Sequence, residues 1–461
     1  MDTKRKLKFT EKLAYGLADF PEAANSILAA FLTMFYTDNI GLAAGAVGTM
    51  FFISKLFDGI SDILAGILID KTRTKWGKAR PWLLWLAVPT GLALALIFFI
   101  PQDGSKTMQL VYAFVTYNLY TAVMFTITGI ARSALLALMT QDMRERGSMA
   151  SFGMFFGLGG TILGCSATFP LIFKLGGDVR AWRILFIVYG IIVTVGLFAG
   201  FFLSKEYVAS VESVTKQESK ISFGEGLKLF FTNKYLILAL VMTVLVNFVT
   251  QVNSSSQTYF YTYTMGDPML TTTLNLVSVV PILAGIVILV GPCLAKFGKR
   301  NCMYIGIIGQ LIGSVLRGFA GMTQSVPLLV VGTIISGAVT GLLAVPVSTL
   351  FADGIDYGEY KTNKRIEGMG SAITSFSQKI SSGLALASVG WVLALTGYVQ
   401  NEVQSSATNM GIITLYSWLP AILLLIIFFI LKFCYHYDKE AEKVIATLES
   451  RKAGKADSNA K

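Results

Sequence analysis

Stretches of roughly 20 apolar residues recur along the whole chain, as at Trp82–Ile100, Trp182–Leu203 and Gly411–Cys434, and each matches the thickness of a bilayer's hydrocarbon layer. Repetition of this kind implies helices that cross a membrane many times. With 54% hydrophobic residues, 14% charged residues and a mean hydropathy of +0.63, the chain lies far from soluble proteins, about a quarter of whose residues are charged. Spans are expected near 13–37, 44–69, 82–101, 108–139, 149–174, 182–204, 235–263, 271–296, 302–320, 326–351, 368–396 and 411–434, about twelve in all. The expected fold class is therefore an all-α membrane protein.

The N-terminus opens with Lys4, Arg5, Lys6 and Lys8 before a long apolar stretch without a small-residue cleavage pattern, so that stretch is expected to stay as the first span. A net charge of +11 would point to nucleic acid in a soluble protein; here the basic residues sit in the loops, and no nucleic acid is expected. With both termini cytoplasmic, roughly 30 of the 38 Lys and Arg fall on the cytoplasmic side, as the positive-inside rule requires. The polar stretch Ser204–Asn233, with Glu206, Glu212, Lys216, Glu218 and Lys220, divides the spans six and six. The expected organisation is a six-helix half at 1–203, a cytoplasmic linker at 204–233, a second six-helix half at 234–434 and a cytoplasmic tail at 435–461.

Histidine chemistry inside the membrane is excluded, because the single histidine, His436, lies beyond the last apolar run. The four cysteines (Cys165, Cys293, Cys302, Cys434) are scattered without metal-ligand spacing, so neither a disulfide framework nor a metal site is expected, and no cofactor or enzyme activity. An internal repeat supports the two halves. Gly66, Asp70, Lys71, then Gly77-Lys78 follow the second span, and Gly291, Ala295, Lys296, then Gly298-Lys299-Arg300 follow the eighth. Two parallel repeats are the plan of the major facilitator fold. The first turn is a candidate gate, with Asp70 pairing with Arg73 or capping a neighbouring helix.

Ionisable groups inside spans cost about 2.5 to 3.5 kcal/mol each on insertion scales, so those that remain are functional candidates. Lys55, Asp58 and Asp62 are spaced three and four apart, on one helical face. Two carboxylates and one base suit a small cation, Na⁺ or H⁺, with hydroxyls such as Ser61, Thr126 and Thr128 completing the shell; a structural salt-bridge cluster is the alternative. Lys379, in the hydroxyl-rich Ser375–Ser382, either faces a cavity, where it would pair with Asp58 or Asp62, or snorkels to the interface. Arg132 either recognises substrate or pairs with an acid such as Glu22 or Asp58. Asp19 and Glu22 with Tyr15, Phe20 and Tyr36, and the polar band from Asn247 and Gln251 to Thr258, carry the acids, amides and aromatic faces that a sugar site uses.

Asp58-Gly-Ile-Ser-Asp62, the run from Asp70 through Trp76-Gly-Lys-Ala-Arg80-Pro-Trp82, and Asp356-Tyr-Gly-Glu359-Tyr-Lys-Thr-Asn-Lys-Arg365-Ile-Glu367-Gly together resemble the glycoside-pentoside-hexuronide:cation symporter family over nearly the whole chain. The resemblance implies a membrane-embedded, monomeric carrier that moves a glycoside, pentoside or hexuronide with a cation across a cell membrane by alternating access, and the Arg365-Ile-Glu367-Gly wording leans towards glucuronides or pentosides. It places Asp58, Asp62, Ser61 and Thr126 at the cation site and Lys379 at the eleventh-span lysine. Lys55, Asp70, Arg73, Lys379 and Arg365 are the expected coupling and gating groups. Where the melibiose type has charged or aromatic sugar-site residues, this chain has Ala23, Gly129, Ser133 and Met154, which leaves Arg132 as a candidate for an altered, acidic substrate. A facilitator-type carrier of amphipathic lipids is the competing expectation.

Overall fold

Pro21 breaks the first apolar stretch in two. It has no N–H to give the carbonyl of Leu17 and cannot continue a helix from upstream, so α1 (Phe9–Leu17) stops and α2 (Phe20–Met34) restarts with Asp19 at its N-cap. Gly196 exploits the gap, because a Cβ there would lie 2.5 Å from the freed Leu17 carbonyl. This is a computed structural model; it describes residues 6–140, 142–207, 223–364, 366–437, 440, 443–444, 446–448 and 450–451. The remaining helices are α3 (Ala44–Lys71), α4 (Arg80–Leu96), α5 (Lys106–Asn118), α6 (Thr126–Met139), α7 (Met143–Lys174), α8 (Val179–Leu203), α9 (Phe223–Thr232) and α10 (Lys234–Tyr259). They continue with α11 (Leu270–Ala284), α12 (Gly291–Thr323), α13 (Val326–Thr362), α14 (Glu367–Leu395), α15 (Ser406–Ile413) and α16 (Leu419–Cys434).

Wide π turns join several of these, at Phe35–Asn39, Leu119–Phe125, Phe260–Thr264, Gly285–Val290 and Thr414–Trp418. Among the described residues, eight helices are long and apolar enough to cross a membrane. The charge-bearing α3 and the broken first stretch are not among them; the charges and the proline that make these segments interesting also dilute their hydropathy.

The chain divides into two compact units, one of Met1–Glu212, Ser254–Leu276 and Gly383–Ile412, the other of Ser213–Asn253, Val277–Ser382 and Ile413–Lys461. In the first, α4 and α8 touch backbone to backbone: a Cβ on Gly91 would lie 2.3 Å from the Gly190 carbonyl, and one on Gly190 2.5 Å from that of Gly91. Beside this crossing Phe35, Phe98, Trp182 and Phe186 form a buried aromatic block.

The basic turn ahead of α4 is tied down by a carboxylate. Glu206 accepts the backbone N–H groups of Lys78, Ala79 and Arg80, each at 2.9 Å, so the start of the linker satisfies the otherwise unpaired donors of the α4 N-terminus. Only glycine fits at Gly77, where φ is +113° and a Cβ would fall 2.3 Å from the same carboxylate. Glu206→Ala should therefore destabilise the protein by about 2–3 kcal/mol, the cost of stranding these donors at a partly wet site, read as a lower unfolding temperature in detergent. An unchanged temperature would show that water replaces the carboxylate without loss. Asp70 pairs with Lys78 at 2.7 Å, a partner the sequence reading did not name.

In the second unit the corresponding turn has Gly298 at φ +75°. Lys299 Nζ reaches both carboxylate oxygens of Asp353 at 2.8 Å, and Arg300 Nη2 donates to the Lys432 carbonyl at 3.0 Å. In the first unit Arg80 Nη2 donates to the Phe201 carbonyl at 2.7 Å. Each arginine thus holds a carbonyl near the C-terminal end of a helix, α8 or α16, where the partial charge is negative. The core of this unit gathers Tyr235, Met303, Leu343 and Leu424, and Val444 and Leu448 from the tail are buried in it. The expected linker contains α9, whose Phe230 packs with Leu236, Ile355 and Ile366. Glu212, Lys216, Glu218, Lys220 and Arg365 lie outside the described residues.

Candidate functional site

The i, i+3 spacing in α3 does what the sequence promised for one acid. Lys55 Nζ sits 2.6 Å from Asp58 Oδ2, and Asp58 is only 3% exposed. An unpaired carboxylate at that depth would carry a penalty of several kcal/mol, and the ammonium offsets it. Lys55 in turn lies over the buried Tyr117 ring, 5.7 Å from its centre, and its stem is pressed by the Gly383 backbone, where a Cβ would come within 2.7 Å. Asp62, one turn on and half-buried, lies on the same helix face.

The other oxygen of Asp58 accepts from Thr121, at 3.2 Å, a hydroxyl the sequence reading passed over. Thr126, the expected ligand, spends its proton on the Thr121 carbonyl at 3.1 Å. The cause is the π turn Leu119–Phe125, which puts an extra residue into the turn and rotates the following face, so a count at 3.6 residues per turn misaims the hydroxyls. Ser61 likewise donates to the Asp58 carbonyl at 2.9 Å. Both hydroxyls keep lone pairs free for a cation. Asn118 donates to Ser54, one turn before Asp58, at 2.8 Å, while its own Oδ1 is buried with no hydrogen-bond partner among the described residues. That acceptor joins Thr121 as a ligand candidate that pattern reading missed.

A second charged group sits at the break in the first stretch. Arg132 Nη2 lies 2.8 Å from Asp19 Oδ1, an ion pair by distance without an aligned hydrogen bond, and the guanidinium rests 5.2 Å from the centre of the Tyr15 ring. The acid shown at ion-pair distance from Arg132 is Asp19. A glycine stripe on α7 makes room: a Cβ on Gly153 would meet Arg132 at 3.1 Å and one on Gly157 would meet Asp19 at 2.6 Å, while Gly160 and Gly164 back onto Ala23 and Ile27. Small residues at such spacing let helices approach closely. Glu22 is exposed. Asn247, half-buried, donates to the Thr243 carbonyl of its own helix at 2.9 Å; with Gln251 and Lys379 it belongs to the second unit.

The sequence pattern of the MFS/sugar transport protein family matches residues 14–439. The chain belongs to this family. It is 31% identical over 457 residues to an isoprimeverose transporter of Lactiplantibacillus pentosus, covering 98% of this chain and 93% of the relative. It is 28% identical to a glucuronide carrier protein homolog of Escherichia coli (strain K12), covering 97% of each. A putative glycoside/cation symporter of the same organism is 29% identical, with 98% and 97% covered. The crystal structure of a D-xylose-proton symporter superposes with a TM-score of 0.66 at 16% identity over 93% of this chain and 98% of that one, which establishes the fold. The chain is accordingly a multi-pass, all-helical transporter of the major facilitator fold and not an enzyme, and the expected likeness to glycoside, pentoside and hexuronide symporters holds.

Proposed function

We propose that this transporter takes up a neutral glycoside or pentoside together with Na⁺ or H⁺, through twelve spans arranged as two six-helix halves with both termini cytoplasmic. The observation that carries the coupling is the Lys55–Asp58 pair at 2.6 Å, one turn from Asp62. In this scheme the ammonium balances Asp58 while the ion is away. An arriving cation takes its place between Asp58 and Asp62, with the hydroxyl oxygens of Thr121, Ser61 and Thr126 and the Asn118 carbonyl around it. The carboxylate of Asp58 is then met by a cation in both states, so it never carries the full penalty of an unpaired buried ion. The parallel contacts of Arg80 and Arg300 with helix ends support the repeat that the two halves require.

Asp19 and Arg132 form the sugar end of the proposal. Their mutual neutralisation leaves an acceptor and a fork of donors for hydroxyls at a helix break, with no net charge to attract an acid. This favours neutral sugars over the acidic substrate that an unpaired Arg132 would select. A broken helix is a common site of solute binding in carriers. Uptake into proteoliposomes, scanned over neutral and acidic glycosides with sodium and proton gradients imposed separately, tests the reading. Accumulation of a neutral sugar under one of the two gradients is expected; uptake that only equilibrates under both, or accumulation of acidic sugars alone, contradicts it.

A further inference from the structure

Away from the cation site, Asp38 sits in a cage of hydroxyls. Its Oδ1 accepts from Thr37 at 2.6 Å and from Tyr398 at 2.5 Å, and its Oδ2 from Tyr263 at 2.6 Å; the residue is 8% exposed. The Tyr398 and Tyr263 hydroxyl oxygens also lie 2.9 Å apart, each with its proton turned to Asp38, and Thr37 shares a hydrogen bond with Tyr259 at 2.8 Å. Asn401, held at φ +56°, closes the cage: its side chain donates to the Asp38 carbonyl at 2.9 Å and its backbone N–H to the Tyr263 hydroxyl at 3.2 Å. The three tyrosine rings pack on one another, with Tyr398 edge-on to Tyr259 and Tyr263 at 5.6 and 5.4 Å.

Three stretches far apart in the chain meet here: the π turn Phe35–Asn39, the π turn Phe260–Thr264 that follows α10, and the turn after α14. All three lie at the ends opposite the basic turns, on the outer side in the orientation proposed above. We propose that Asp38 is the positioning residue of an outer latch, a carboxylate that holds the ends of the first, seventh and eleventh spans together when the outer entrance is shut. The proposal rests on the alternating-access reading of this protein.

The chemistry suits a closure that must open again. A carboxylate met by three hydroxyls is bound more firmly than a neutral acceptor would be, because each hydrogen bond is charge-assisted. Space for water is close by. Asn39 and Ile40, next in the chain, line a cavity of about 550 Å³ together with Gln102, Lys106, Gln109 and Arg180. When the tyrosines withdraw, water reaches the carboxylate and restores its solvation, so the open state is not penalised by a stranded charge. A neutral residue would give a weaker latch, and a lysine partner in place of the hydroxyls a stiffer one.

Spin labels at the exposed Asp103 and Glu402, in a background with the four cysteines replaced, read the separation of the two sides of the latch by pulsed electron resonance in nanodiscs. Tyr263→Phe and Tyr398→Phe each keep the ring and remove one charge-assisted bond; each should shift the closed-to-open ratio roughly tenfold towards longer distances. Asp38→Ala should shift it further. Phenylalanine variants that unfold at the parent's temperature and give the parent's distance distribution would overturn the latch, whether or not Asp38→Ala inserts. Sugar uptake is measured separately. A parent that accumulates sugar with unshifted variants sinks the latch alone, and shifted distances in a parent that carries nothing sink the transport reading alone.

Discussion

Asp58→Asn should abolish accumulation of sugar against a gradient and weaken cation binding roughly 10- to 100-fold, the loss expected when one charge-assisted contact of a buried ion is removed. It should also destabilise the protein, because the Lys55 ammonium is left without its carboxylate; breaking one side of a buried pair costs about 3–5 kcal/mol. The two effects separate in the double variant. Lys55→Met with Asp58→Asn removes both charges, so most of the lost thermal stability should return while coupled uptake stays absent. Thermal unfolding in detergent and proteoliposome uptake, run on the same preparations, check this. Recovery of uphill transport in the double variant would assign Lys55 and Asp58 to structure rather than to coupling.

The second large effect is expected at the helix break. Arg132→Ala leaves Asp19 unpaired, and Asp19→Ala leaves the guanidinium unpaired; side-chain exposures of 21% and 8% mean that water softens the penalty, which we place at about 2–3 kcal/mol for either change. Because the two residues touch, the double variant should lose much less than the sum. Sugar affinity should fall in all three, by roughly tenfold or more, since both the acceptor and the donor fork serve hydroxyls in the proposed site. Equilibrium binding of a neutral glycoside reads the affinity. Wild-type affinity in the Arg132→Ala, Asp19→Ala double variant would move the sugar site elsewhere.

Much of this was written in the sequence, for reasons of scale. Spacing of three and four residues fixes which side chains share a helical face, so Lys55 and Asp58 were legible as a pair, and apolar run length marked the long helix Val179–Leu203. The Gly-Lys turns were legible as a repeat, although their contacts were not: the Lys78–Asp70 and Lys299–Asp353 pairs depend on how each turn folds back. Thr121 was hidden because a π turn breaks the 3.6-residue phase between it and Thr126. Asp38 was hidden for another reason. Its partners Tyr263 and Tyr398 lie more than 200 positions away, and a single acid at the end of an apolar run carries no local signal of a cage. Asp19 as the partner of Arg132 required knowing that Pro21 would end α1 and that α7 would present glycines to it.

The whole account turns on the travelling ion being held by the α3 acids. The direct measurement is the ratio of internal to external sugar in proteoliposomes containing the Asp58→Asn, Asp62→Asn double variant, under whichever cation gradient drives the parent. The account predicts a ratio that stops at one while exchange of labelled sugar continues. A ratio that still climbs above one would contradict it.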